Sequence, residues 1–285
     1  MYIKEFVKRH PVSIYFALTF AISWGGVLLV IGGPGEIPGT PEQFEMLLPV
    51  AILAMLAGPP VAGLLLTGLV YGRVGFRKLL SRLLRWRVGA HWYAIALLTA
   101  PLLMTALLLA LLLLSPEFLP GILASDDKTS VLLFGLAVGL MAGIIEELGW
   151  TGFAVPRLRL RYGVLTTGLI VGLLWGAWHL LVTLWGSVTS SGAFSLAIFL
   201  LDPFLFLTVF RVLMVWVYDR TESVFVVMLM HASQTASALI IFPLEITGVS
   251  LLTFDLVWAA VLCVVVAAAA MTNGGKRLER APRLA

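Results

Sequence analysis

Of 285 residues, 60% are hydrophobic and only 12% charged, well below the roughly 25% charge of a soluble domain. One soluble core cannot bury so much apolar surface, whereas bilayer hydrocarbon accommodates it. The formal charge of +4 does not indicate a nucleic-acid partner, because the basic residues stand in short clusters between apolar runs, where topology signals belong.

The expected fold is all-α: a polytopic membrane bundle of about eight transmembrane helices, forming one integral membrane domain over 1–285. Lys4, Lys8 and Arg9 precede the first apolar run, Val12 to Ile31. At about twenty residues it exceeds a signal-peptide core of roughly 7–15 and reads as an uncleaved helix. The predicted spans are 12–32, 46–71, 91–115, 130–155, 163–186, 194–218, 222–242 and 249–271. They lack the apolar/polar alternation of barrel strands.

The connections alternate in charge. Loop one carries Glu36, Glu42 and Glu45; loop two carries Arg73, Arg77, Lys78, Arg82, Arg85 and Arg87. Loop three is acidic (Glu117, Asp126, Asp127, with Lys128), and loop four has Arg157, Arg159 and Arg161. Arg220 in loop six is offset by Asp219 and Glu222, and the tail holds Lys276, Arg277, Arg280 and Arg283. Basic clusters on even loops and both ends predict cytoplasmic termini, in the plasma (cytoplasmic) membrane if the cell is bacterial. Within Gly72 to Gly89, Leu79, Leu80, Leu83 and Leu84 share a helical face beside arginines, a pattern suited to the inner leaflet or to a solvated loop. The single cysteine, Cys263, sits in an apolar run, so no intrachain disulfide forms. No repeat or soluble second domain is visible.

Ionisable groups inside apolar helices are costly and usually functional, and four places hold them. Glu146 and Glu147 follow the apolar run Val131 to Ile145 and precede Trp150, Phe153 and Val155. His179 stands among apolar residues after Trp175 and Trp178. His231 follows Val226 to Met230, with Thr235 one turn on at i+4 and Gln234 read as lying on a different face. Asp202, before Pro203, and Arg211 share the sixth span, where a kink or snorkelling would explain them. A carboxylate and two imidazoles at overlapping depths can activate water. Two His and one Glu also form a known zinc ligand set. Read as helix–helix hydrogen-bonding groups, the same side chains would serve packing alone.

These motifs resemble the CPBP family (CAAX proteases and bacteriocin-processing or immunity proteins, also called Abi), including the type II CAAX prenyl endopeptidases. That family carries Glu-Glu-x-x-x-Arg, then Phe-x-x-x-His, then His-x-x-x-Asn. Glu146-Glu147-Leu-Gly-Trp-Thr151, Trp175-Gly-Ala-Trp-His179 and His231-Ala-Ser-Gln-Thr235 resemble them in order, over a motif-bearing core of about 130–240. Thr151, Trp175 and Thr235 replace the family Arg, Phe and Asn. Arg211 is the candidate to restore the missing cation from another helix, and Thr235 offers a hydrogen bond with a shorter reach than an amide.

The resemblance implies intramembrane endopeptidase activity. Glu146 would activate water and Glu147 would assist. His179 and His231, with Thr235 beside them, would stabilise the oxyanion or, with Glu146, hold a divalent metal such as zinc. The implied partners are the lipid bilayer and a membrane-associated peptide or protein. The alternatives are a catalytically weak immunity or scaffold protein of the same fold, and a proton-coupled transporter with a helix interrupted at Gly58-Pro59-Pro60.

Overall fold

The computed structural model describes residues 2–189, 192–243 and 246–271, and every regular element among them is helical. The basic tail from residue 272 lies outside the described residues. In chain order the helices are α1 (Tyr2–Arg9), α2 (Pro11–Ile31), α3 (Pro41–Leu56), α4 (Gly58–Leu66), α5 (Gly72–Leu83), α6 (Ala90–Leu112) and α7 (Gly121–Ala124). There follow α8 (Lys128–Glu147), α9 (Val155–Leu158), α10 (Val164–Trp185), α11 (Gly192–Thr221), α12 (Val224–Ile240) and α13 (Gly248–Met271). π-Helical turns at Thr67–Tyr71 and Trp150–Ala154 join α4 to α5 and lead from α8 into α9.

Seven helical stretches are long and apolar enough to cross a membrane, and α12, with 17 residues, is a shorter apolar helix. At 1.5 Å per residue α12 spans about 25 Å, a few ångströms less than typical bilayer hydrocarbon. The expected eight apolar helices are therefore present, one of them short. The second differs from expectation. It starts at Pro41 behind a capping box between Thr40 and Gln43 and breaks at Ala57, because Pro59 and Pro60 supply no backbone N–H to continue the α-helical ladder. The basic segment is helical as α5, but its leucine face divides: Leu79 is buried against the bundle, while Leu80 and Leu84 are exposed.

Local signals set the start of the site-bearing helices. Asp127 caps α8 by accepting a hydrogen bond from the Ser130 amide at 3.0 Å, and the Ser130 bonds hold its carboxyl below the usual range. Ser223 caps α12, accepting from the Val226 amide at 3.1 Å.

Small residues set how closely the helices approach, as membrane packing favours. Gly139 and Gly143 of α8 press against α12: a Cβ on Gly139 would fall 3.0 Å from the Ala236 amide, and one on Gly143 would fall 2.8 Å from that of Ala232. Gly172 of α10 faces α11 in the same way, with Thr208 Cα at 2.8 Å and Arg211 Cβ at 3.2 Å from such a Cβ. These two seams bring α12 and α11 alongside the helices that carry the glutamates and His179.

Candidate active site

The α-helical part of the fourth span ends at Glu147, and the chain continues through a fully buried π-turn. A helix end at this pair does not open it to solvent: Glu146 is 4% exposed and Glu147 0%. Gly149 permits this burial by its close approach to the Pro59 carbonyl and the Tyr15 hydroxyl, space a side chain would occupy.

The two carboxylates have different surroundings. Glu147 accepts hydrogen bonds from Arg211 Nη1 at 2.8 and 2.9 Å, from His231 Nδ1 at 2.7 Å, and from the Thr151 hydroxyl. Its charge is thus compensated by a guanidinium that is itself 0% exposed. The expected replacement of the family arginine by Arg211 is met: the cation comes from α11, and Thr151 bonds to the same carboxylate it helps orient. Glu146 takes two indole N–H donors on Oε2, Trp150 at 3.1 Å and Trp175 at 2.8 Å. Its Oε1 lies 3.9 Å from His231 Nε2 and has no closer polar partner among the described residues.

The imidazoles are fixed through their Nδ1 atoms. His179 Nδ1 pairs with the Trp175 carbonyl at 2.8 Å, and His231 Nδ1 with Glu147. Both partners accept, so each Nδ1 donates, leaving Nε2 as the unengaged ring nitrogen. Trp175 links the whole set. Its indole binds Glu146, its carbonyl binds His179, its ring meets His231 edge-on at 4.9 Å between centroids, and the Arg211 guanidinium lies 4.0 Å over it.

Glu146, Trp175, His179, His231, Gln234 and Thr235 line one cavity of about 300 Å³, together with Asp202. The structure therefore brings Glu146, both histidines and Thr235 to a single space, with Glu147 and Arg211 supporting from behind. Gln234 corrects the sequence reading. At i+3 from His231 it shares that residue's face, and it brings to the cavity the amide absent from Thr235. Asp202 is more than a kink residue. It contributes a carboxyl to the lining of this cavity.

The donor types suit a divalent cation: two free Nε2 atoms, a free carboxylate oxygen, and Nδ1 partners of the kind metal-bound histidines carry. Among the described residues, however, no three His, Cys, Asp or Glu side chains are grouped to hold one ion. As arranged, Glu146, His179 and His231 share a cavity without closing on a common metal position.

Trp150 and Thr151 were legible as i+4 partners of Glu146 and Glu147, and Asp255 as an acid within an apolar helix. The Trp175 indole comes from a separate helix and carried no such signal.

Comparison with known proteins bears out the resemblance read from the motifs. Residues 128–237 match the sequence model of the family described as type II CAAX prenyl endopeptidase Rce1-like. The chain is also 28% identical over 184 residues to CAAX prenyl protease 2 of Methanococcus maripaludis, covering 60% of this chain and 62% of that relative. The matched segment runs from the start of α8 to the last turn of α12 and contains Glu146, Glu147, His179, Arg211 and His231, whereas Asp255 lies beyond it.

Proposed function

We propose that this membrane protein is an endopeptidase that cleaves a peptide bond of a membrane-associated polypeptide with a glutamate-activated water. The observation that carries the reading is the asymmetry of the acidic pair. Glu147 is saturated by Arg211, His231 and Thr151, while Glu146 is held by one oxygen and keeps the other at the cavity, 3.9 Å from His231 Nε2. A general base needs a fixed orientation and a free lone pair. Glu146 has both, and Glu147 is its positioning neighbour.

In this reading Glu146 Oε1 takes a proton from water as the water oxygen attacks the scissile carbonyl carbon. The carbonyl oxygen becomes an oxyanion, to which His179 and His231 donate through Nε2 when that nitrogen carries a proton. Gln234 and Thr235 supply neutral hydrogen bonds to the peptide. Collapse of the intermediate breaks the C–N bond, and Glu146 returns its proton to the leaving amine. The similarity to a CAAX prenyl protease suggests substrates cut near a lipid-modified C-terminus, in the plasma membrane if the cell is bacterial.

Detergent-purified protein, assayed against matched peptides with and without a prenyl group, should cleave at least one. Glu146→Gln, His179→Ala and His231→Ala should each lower cleavage by at least 10²-fold with normal membrane insertion, the order expected for loss of an acid–base group. Cleavage persisting in all three variants would overturn the proposal. Metal analysis of the active protein, with chelation and zinc add-back, decides whether the three side chains draw together on an ion. A weak immunity or scaffold role would instead leave protection or partner binding intact in the same variants.

A further inference from the structure

We propose that a second, basic cleft of this protein is a binding site for a phosphate-bearing anion, a phospholipid headgroup or free phosphate. The cleft has a volume of about 630 Å³ and is walled by α5, α9 and the end of α11 with the turn after it, with Lys78, Arg82, Arg157, Arg159, Asp219 and Glu222 supplying its charge. None of its lining residues also lines the Glu146 cavity.

The charge inventory points to an anion. Both acids are already engaged: Asp219 binds Arg159 at 2.6 and 2.9 Å, and Glu222 binds Arg85 at 2.7 Å. Lys78, Arg82 and Arg157 have no carboxylate partner within ion-pair distance among the described residues. Three cations thus share one cleft without a counter-charge.

Two of the three are held in place rather than free to swing into solvent. Arg82 donates to the Tyr218 hydroxyl, the Gly152 carbonyl and the Lys78 carbonyl, each at 3.1 Å. Arg157 donates to the Phe153 carbonyl at 2.6 Å, and its guanidinium lies over the Phe153 ring at 3.6 Å and the Tyr71 ring at 4.4 Å. Neutral carbonyls and aromatic faces orient these groups without cancelling their charge, which prepares them for a multi-oxygen anion. The surroundings suit a lipid. Val74 is exposed in the wall of the cleft, and Phe76 and Leu80 are exposed on another face of α5, apolar surface of the kind an interfacial helix presents. The Arg82 bond to Gly152 also ties the cleft to the π-turn that follows the glutamates.

The test uses the full chain in neutral detergent and measures thermal stabilisation and bound ligand by native mass spectrometry. Three probes are compared: phosphatidylglycerol, inorganic phosphate, and diacylglycerol with the same acyl chains. Phosphatidylglycerol or phosphate should stabilise the protein, with saturation, and diacylglycerol should not. Stabilisation by phosphatidylglycerol alone assigns the site to a lipid headgroup, and equal action of phosphate assigns it to the shared anion. Lys78→Gln, at an exposed side chain that makes no hydrogen bond or ion pair among the described residues, should weaken binding at least threefold, and Lys78→Gln with Arg157→Gln at least tenfold. Arg77→Gln removes the same charge on α5 outside the cleft and should leave binding unchanged.

Equal losses in Lys78→Gln and Arg77→Gln would reduce the site to diffuse surface charge and sink the proposal. So would equal stabilisation by diacylglycerol, or no binding of any probe. Displacement of phosphate by peptides only when they carry a free C-terminal carboxylate would likewise overturn it, in favour of a peptide site.

Discussion

Glu147 is a fully buried charge whose stability rests on one guanidinium, one imidazole and one hydroxyl. Removing one partner of such a pair leaves an uncompensated charge, at a cost of about 3–5 kcal/mol, whereas removing both can be nearly neutral. Arg211→Met should therefore lower the unfolding midpoint in detergent strongly. Adding Glu147→Gln to that variant should recover much of the loss, because the amide no longer needs a cation. A double variant no more stable than Arg211→Met alone would show that Arg211 acts through its packing on Trp175. This arrangement also shows how Thr151 can stand at the arginine position of the motif that the sequence resembles. The cation on Glu147 comes from α11, and the Thr151 hydroxyl supplies a hydrogen bond.

Much of this residue-level pattern was legible in the sequence, because an ionisable group among apolar neighbours is conspicuous. Glu146, Glu147, His179, His231 and Arg211 could each be singled out that way, and helical spacing carried Thr235, whereas Thr151 entered only as the replacement of the motif arginine. Asp255 obeyed the same rule and was passed over. Trp175 could not be recognised as the hub. Its role depends on which way an indole turns across a helix interface, and nothing in an apolar aromatic run encodes that.

Among the helices, the site depends on two seams where glycine replaces a side chain. On α8, Gly139 and Gly143 set the approach to α12, and His231 reaches Glu147 across that contact. The placement of these helices in sequence was readable from hydropathy, but their partners were not, since uniformly apolar helices present no preferred face. The break in the second span was marked by Gly58-Pro59-Pro60, yet what it accomplishes, room for Gly149 against Pro59, emerges only in three dimensions. Gly139→Leu should force α8 and α12 apart. Overpacking of this kind costs about 1–3 kcal/mol, and the displaced imidazole should lower peptide cleavage well beyond the loss of folded protein. Gly25, whose Cβ would meet nothing within 4 Å, is the control position, where alanine should leave both stability and cleavage unchanged. Equal effects at the two glycines would separate the seam from the chemistry.

For the molecule as a whole, the charged connections define a testable orientation. The arginine-rich segments at 73–87 and 157–161 flank the fourth-span carboxylates on one side of the bundle, while the acidic connections at 36–45 and 117–127 belong to the other. If basic loops stay in the cytoplasm, the basic cleft faces that side and lies where anionic lipid is present, and α12, short of the full hydrocarbon thickness, places His231 within about 11 Å of its basic-side end. Single cysteines can map this directly once Cys263, which is exposed, is replaced by alanine. Gly35→Cys, Arg87→Cys, Asp126→Cys and Arg161→Cys all fall at exposed positions between spans. In intact cells a membrane-impermeant maleimide should label the cysteines at 35 and 126 and spare those at 87 and 161, which should react only after permeabilisation. Labelling of position 87 from outside would invert the bundle, open the basic cleft to the external face, and remove the cytoplasmic leaflet as the source of its ligand. Labelling of 87 and 161 from opposite sides would instead mean that one of the apolar helices between them does not cross the membrane.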